Sequence, residues 1–306
     1  MDRRNTTLGI FFMLVFCALA PVMDASAKAT PPEVPVTQIL AFRFGVQVLL
    51  LYPLVMALSL PSRTTVRDGL FHLARAATLT LATYCFFTAL RFMPVADAIA
   101  IFFVSPFIVT LLGAVFLKEP IGWRRSLASL VGFGGALLVI RPSFADLGAV
   151  ALLPLATALM FAIYILMTRS MSQRAHPLVL QAHTALAASV LTVPPMLLLD
   201  GTGLTYVDPV WPSPFAWMTL IAVGTVATIS HVFLTFALRL IPAGTVASLQ
   251  YFEIIGATIV GFLIFGDLPT PLTFLGIAII IASGLYNIAR ESRLSDIPDR
   301  APPPPP

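Results

Sequence analysis

Charged residues are scarce in this sequence, and that scarcity excludes a soluble globular domain. Only 10% of its 306 residues are Asp, Glu, Lys or Arg, against 58% hydrophobic ones, and the mean hydropathy is +0.94. So little polar surface cannot cover so much apolar surface in water, and lipid is the solvent that remains. Cysteine is scarce too: Cys17 and Cys85 both fall within apolar runs, and no CxxC or Cys/His cluster accompanies them. Nothing here points to a disulfide, a bound metal or another cofactor. A GxxxxGK[ST] loop is missing, which argues against transport driven by nucleotide hydrolysis. HExxH, GxSxG and paired acids are missing as well, so an integral-membrane enzyme acting on a lipid-linked or small apolar substrate is the second reading.

Long apolar runs are present instead, several of them near the ~20 residues that a helix needs to cross a bilayer. Breaks marked by Pro, Gly and charge place spans near Thr7 to Ala25, Val36 to Leu58, Ala74 to Leu90, Val95 to Leu117 and Ser126 to Ile140. Five more follow near Leu147 to Met167, Leu178 to Leu199, Phe215 to Leu238, Ala243 to Phe265 and Leu272 to Ile288. The expected fold is an all-α polytopic membrane protein of ten transmembrane helices. Barrel strands would alternate in polarity and be half as long.

Orientation follows from the cations. With the N-terminus inside, the cytoplasmic segments hold Arg3, Arg4, Arg63, Arg67, Arg75, Lys118, Arg124, Arg125, Arg169, Arg174, Arg239, Arg290, Arg293 and Arg300. The outer loops hold Lys28, Arg91 and Arg141, and Arg43 lies within the second span. Both termini are therefore expected in the cytoplasm. The cations follow topology rather than forming a basic face, so no nucleic-acid partner is expected. Sixteen Arg against two Lys is the composition of a high-GC bacterial genome, which suggests the bacterial inner membrane. The first apolar run also has the form of a signal peptide, ending in Ala25-Ser26-Ala27, but the repeat described next requires it as a retained helix. Residues 291–306, charged and ending in five prolines, read as a disordered cytoplasmic tail.

The segment beginning Ala89-Leu90-Arg91 has a gapless weak copy beginning Ala237-Leu238-Arg239, at a constant offset of 148 residues. Pro94/Pro242, Thr110/Thr258 and Gly113/Gly261 are identical pairs. Two repeats of five spans result, residues 1–141 and 142–290, and because five is odd the second inserts upside down. Inverted repeats give two ways of packing one half on the other, which is the basis of alternating access.

Candidate site residues follow from the charges that lipid does not tolerate. Glu253 falls halfway along the ninth span, where translocon-scale costs are roughly 2.5 to 3.5 kcal/mol, so it should face a cavity or a partner. Gln250, Glu253, Ala257 and Gly261 form one helical stripe, and the offset pairs Gln250 with Phe102 and Glu253 with Ser105. These two helices are expected to line a site for a small-molecule substrate, with Tyr251 and Phe102 available to stack on a flat heterocycle. The alternative is a protonated Glu253 locked in an interhelical hydrogen bond. Asp24, Lys28 and Arg43, near the outer ends of the first two helices, either pair with one another or receive a charged substrate. Asp97 reads as a helix N-terminal acid. Ser230 with His231, and Gln181 with His183, are expected to satisfy local partners outside the site. Ala128, Gly132 and Ala136, matched by Gly276, Ile280 and Gly284, set small residues on one helix face for packing within the chain or in a homodimer.

These residues resemble the ten-helix EamA-type members of the drug/metabolite transporter superfamily over about residues 7 to 290. The resemblance rests on Met23-Asp24-Ala25-Ser26-Ala27-Lys28, Arg43-Phe44, Ala89-Leu90-Arg91 through Pro94 and Leu117-Lys118-Glu119-Pro120. It continues in Phe265-Gly266-Asp267, Gly276 and Ser283-Gly284-Leu285-Tyr286, with Asp267 where a Glu is usual. It implies an exporter or importer of amino acids, nucleosides, vitamins or related metabolites. The Asp24/Lys28 version is similar to the subgroup that includes S-adenosylmethionine and riboflavin carriers. A membrane-embedded scaffold is the third reading.

Overall fold

The computed structural model describes residues 3–62, 65–116, 127, 130–135, 138, 148–204, 207–266 and 270–295. Helix α1 spans Arg3–Ala29, α2 Val36–Ala57, α3 Val66–Leu90, α4 Val95–Phe102 and α5 Ser105–Phe116. After a 3-10 turn at Gly148–Leu152, α6 spans Leu153–Ser172, α7 Pro177–Leu198 and α8 Pro214–Leu240. Helix α9 spans Ala243–Gln250, α10 Glu253–Phe265 and α11 Pro271–Ser295. Residues 130–135 are also helical, and no strand occurs among the described residues. Eight stretches are long and apolar enough to cross a membrane, with α4 and α5 joined as one and α9 and α10 as another, and α11 adds the shorter apolar stretch Phe274–Tyr286. The protein is an all-α polytopic membrane protein. Most of the expected fifth span, including Ala128 and Ala136, lies outside the described residues, as do Lys118, Glu119, Asp267 and the tail beyond residue 295.

Local chemistry sets the helix starts. Thr65 accepts a hydrogen bond from the Asp68 backbone N–H at 3.2 Å and donates to its carboxylate at 2.7 Å, a reciprocal cap for α3. Ser213 caps α8 from one residue before Pro214, whose missing N–H is harmless in the first turn. Pro94 and Pro242, equivalent under the repeat, stand before α4 and α9 with nearly identical backbone angles, φ −57° with ψ 148° and φ −57° with ψ 150°. Helix α10 ends at Gly266, whose φ of +71° places it in the left-handed region that closes helices.

Three expectations change. The third helix begins at Val66 rather than near Ala74, so Arg67 and Arg75 belong to a helix and not to a loop. Arg75 is fully buried, and it leaves the loop census that oriented the chain. Helix α11 continues to Ser295, into the segment expected to be disordered. The largest change concerns the fourth and ninth spans. Each reads as one continuous helix, yet each is broken in the middle, after Phe102 and after Gln250, positions that are again 148 residues apart. In the first copy Pro106 has no N–H to offer the carbonyl four residues back. In the second copy, where Ile254 stands in place of Pro106, the chain makes tighter i to i−3 bonds from Phe252 to Leu249 and from Ile255 to Phe252.

The halves interlock rather than sit side by side. Helix α1 packs along α8, and α3 packs along α6, pairs that exchange under the repeat. The broken spans cross so that α4 meets α10 and α5 meets α9. At the crossing Phe103 touches Tyr251 edge to face at 5.6 Å, and these two residues are each other's equivalents. The pseudo-axis therefore runs between them. Close backbone approach holds the surroundings. A Cβ on Gly256 would stand 3.1 Å from Pro21 Cγ and 3.2 Å from the Cys17 carbonyl oxygen, the acceptor that Pro21 leaves without its helical N–H. A Cβ on Gly132 would lie 3.1 Å from Ser283 Oγ, and one on Gly135 2.9 Å from the Gly276 carbonyl, so these small residues pack within the chain.

Gly284 offers a direct test of this packing, because a Cβ there would fall 2.4 Å from Tyr251 Cδ2. Gly284→Ala is expected to destabilise the protein by about 1–3 kcal/mol through overpacking. Gly45→Ala, where a Cβ meets nothing within 4 Å, should be neutral or slightly stabilising. Thermal denaturation of the two variants in detergent, side by side, checks the contrast.

Candidate functional site

One cavity is built at the crossing. Its walls are Phe16, Ala20, Met23 and Asp24 of α1, Arg43 of α2, Leu79, Ala82, Thr83, Phe86 and Phe87 of α3, Phe102 of α4, Thr157 and Phe161 of α6, His231 of α8 and Glu253 of α10. The cavity between them has a volume of about 50 Å³. Both repeats contribute, and the break in the ninth span puts Glu253 at the first residue of a new helix, where backbone N–H groups bond three residues back instead of four. Gly256, one turn on, lets α10 lie against α1 and brings Glu253 within electrostatic range of Asp24.

The polar groups divide into satisfied and unsatisfied ones. Arg43 donates from Nη1 to Thr83 Oγ1 and from Nη2 to His231 Nε2 at 3.1 Å. A guanidinium only donates, so Nε2 accepts and the His231 proton sits on Nδ1, facing the Ala227 carbonyl at 3.1 Å. Thr83 and His231 are equivalents under the repeat, so one arginine bridges two symmetry-related positions. Its charge also faces the rings of Phe44 and Phe87, at 5.2 and 5.8 Å. By contrast Asp24 Oδ1, Glu253 Oε2 and Arg43 Nε are buried without a hydrogen-bond partner among the described residues. Aromatic rings make the apolar wall: Phe102 meets Phe86 at 5.8 Å and Phe161 at 5.4 Å, and Phe16 stands edge-on to His231 at 5.8 Å.

Of the expected site residues, Glu253, Phe102, Asp24 and Arg43 line the cavity together. Gln250, Tyr251, Ser105 and Lys28 are not among its walls. Lys28 is directed to the Met93 carbonyl at 3.2 Å and to the Phe265 ring at 4.8 Å. Tyr251 is engaged at the pseudo-axis with Phe103. Gln250 and Ser105 are fully buried; the Gln250 amide stands beside the Glu253 carboxylate, and Ser105 Oγ has no hydrogen-bond partner among the described residues. His231, assigned on sequence to local bonds alone, makes those bonds and also lines the cavity while orienting Arg43.

A second cluster lies nearer the side of the protein where α1 begins. Arg75, on α3, donates from Nε to Thr168 Oγ1 at 2.8 Å and from Nη1 to the Leu180 carbonyl at 3.1 Å and to Thr184 Oγ1. From Nη2 it donates to Tyr164 Oη and Gln181 Oε1, each at 3.1 Å. The five hydrogen bonds named here all go to neutral acceptors on α6 and α7, so this guanidinium pins the first half to the second. Displacing the cavity walls by 148 residues converts Phe16 to Tyr164, Ala20 to Thr168, Phe87 to Thr235, Phe102 to Gln250 and Glu253 to Ser105. All five are buried. Tyr164 and Thr168 bond Arg75, and Thr235 bonds its partner Gln181 at 3.3 Å. The inverted counterpart of the cavity is thus closed around Arg75.

The profile of the EamA-like transporter family matches residues 7–141 and again residues 148–288. A riboflavin transporter of Vibrio cholerae is 24% identical over 299 residues, which cover 96% of this chain and 97% of that one. The pseudopaline exporter CntI of Pseudomonas aeruginosa is 29% identical over 282 residues, with 90% and 94% covered. An S-adenosylmethionine uptake transporter of Rickettsia prowazekii is 24% identical over 295 residues, with 95% and 96% covered. The similarity runs over nearly whole chains, so it concerns the complete fold and not one shared repeat. A crystal structure at 18% identity, with a TM-score of 0.71, covers 97% of this chain and 100% of its own and shows the same fold.

The bridge from Arg43 to His231 predicts a graded response. His231→Phe removes the acceptor for Nη2 away from water and should destabilise the protein by about 1–3 kcal/mol. His231→Gln keeps a side-chain acceptor and should recover most of that loss. Melting temperatures of the two purified variants in the same detergent decide it.

Proposed function

This chain belongs to the EamA-like transporter family, and from that membership we propose that it is a secondary carrier of a small organic metabolite, working by alternating access between repeats 1–141 and 142–290. The observation that carries the reading is the pair of broken helices crossing at equivalent positions with Glu253 at one break and a two-repeat cavity beside it. Interrupted spans belong where backbone lines a binding site, because lipid cannot satisfy the freed groups. Access from one side closes when the other opens, so the Arg75 cluster is the shut gate and the cavity is the formed site. The relatives include a protein named for uptake and one named as an exporter, so direction comes from the gradient or exchange partner that drives the cycle. The protein belongs in a bacterial inner membrane with both termini cytoplasmic, which places the Arg75 gate on the cytoplasmic side, and it has no enzymatic step of its own.

Untargeted mass spectrometry of cells and spent medium, from one host carrying wild type, Glu253→Gln or empty vector at matched expression, tests the carrier. A metabolite should shift between compartments with wild type and not with the variant. A lipid or cofactor that is chemically altered instead would put the enzyme reading first. The gate has its own test. In a background with Cys17 and Cys85 replaced by Ser, Thr235→Cys is expected to resist a membrane-impermeant maleimide from the cytoplasmic face, and adding Arg75→Gln should raise its labelling several-fold. Equal labelling with and without Arg75 would remove the gate.

A further inference from the structure

The cavity walls are chemically lopsided, and this bears on what they hold. Two acids, Asp24 and Glu253, each present a buried oxygen without a hydrogen-bond partner among the described residues. They interact electrostatically with one another across the space between α1 and α10, and Asp24 also interacts with Arg43, so the Arg43 charge is shared between two acids. Among the lining residues the one cation is Arg43, and one N–H on each of its terminal nitrogens is committed, to Thr83 and to His231, while its Nε has no hydrogen-bond partner among the described residues. The remaining wall is largely aromatic, and a ring face attracts positive charge, more strongly where water is excluded. An anionic ligand entering this space meets two acids against a single guanidinium. A neutral ligand can donate hydrogen bonds to the acids but brings no charge to offset theirs, which is costly away from water. A ligand with an ammonium group relieves both at once.

We propose that the substrate is an organic cation or zwitterion whose positively charged nitrogen sits between Asp24 and Glu253 and whose flat apolar body lies among Phe16, Phe86, Phe102 and Phe161. This rests on the carrier reading and narrows it to a charge class. If the ligand is a zwitterion, its carboxylate faces Arg43 Nε.

Three indole probes on the same two-carbon arm separate the charge states: tryptamine, the cation; indole-3-propionate, the anion; and tryptophol, the neutral alcohol. Each is titrated calorimetrically into the purified full-length protein in nanodiscs at pH 7. Tryptamine is expected to bind at least tenfold more tightly than either of the others. Glu253→Gln and Asp24→Asn should each weaken tryptamine at least tenfold. Should either variant fail to stay monodisperse, the ranking on wild type decides alone. A preference below tenfold, or no binding of any of the three to monodisperse wild type, overturns the proposal. The metabolite comparison keeps the two readings apart. A redistributed anion or neutral compound sinks the charge assignment and leaves the carrier, whereas selective tryptamine binding without redistribution of any metabolite leaves the cation site and sinks the carrier.

Discussion

The edge-to-face contact between Phe103 and Tyr251 sits where two helix breaks meet, and neither break is tolerable by itself in hydrocarbon. A broken span leaves backbone groups without their helical partners, at several kcal/mol for each group exposed to lipid. Crossing the two breaks buries both against protein. Once the crossing exists, much else is constrained. The half-helices α4 and α5 must pair with α10 and α9, and Glu253 must start a helix inside the protein instead of lying midway along one. The wall between the breaks and α1 then becomes the place where a cavity can form. Packing at this point leaves no slack, since Gly284 lies directly over the Tyr251 ring.

Two buried arginines show how the same residue type serves opposite ends of this arrangement. Arg75 has its donors taken by neutral oxygens, and it therefore adds a permanent charge without a free contact for a ligand. Arg43 is held by two residues but keeps Nε free beside the cavity. Lysine suits neither place, because a single ammonium cannot spread donors in a planar fork over two or three helices. The first arginine fixes one arrangement of the halves, and the second leaves capacity to respond to what enters.

Much of this was legible in the sequence, for reasons that can be named. Span lengths and the 148-residue repeat follow from hydropathy and identity alone, and Glu253 betrays itself because lipid penalises it. Asp24 and Arg43 were found by the same logic, Phe102 as the repeat equivalent of Gln250, and all three line the cavity. Gln250 was placed there by the stripe of an unbroken helix, Ser105 as the equivalent of Glu253 and Tyr251 as an aromatic beside them. The break shifts them off that wall. Pro106 signals the break in the first copy, but Ile254 at the equivalent place signals nothing, so the second break is set by packing against the first. His231 was hidden because its decisive partner, Arg43, is 188 residues away, while its neighbour Ser230 offered an adequate local explanation. Arg75 was hidden because a census of cations cannot distinguish a loop arginine from one a few turns inside a helix.

The repeat is symmetric in backbone but not in side chains, and this asymmetry has thermodynamic content. On one side of the pseudo-axis the walls are Phe16, Phe87, Phe102 and Glu253; their counterparts are Tyr164, Thr235, Gln250 and Ser105. If the halves exchange their packing, a ligand passes from an aromatic, acidic site to a hydroxyl- and amide-lined one built around the Arg75 guanidinium, and it cannot bind equally well in both. Unequal affinity shifts the population of the two arrangements while ligand is bound. Net direction over a full cycle does not follow from it, because the empty carrier must return and the difference cancels around the loop. The composition of the walls therefore sets which side releases readily and which holds on. What drives accumulation has to come from a second gradient or an exchanged solute acting on the same two arrangements.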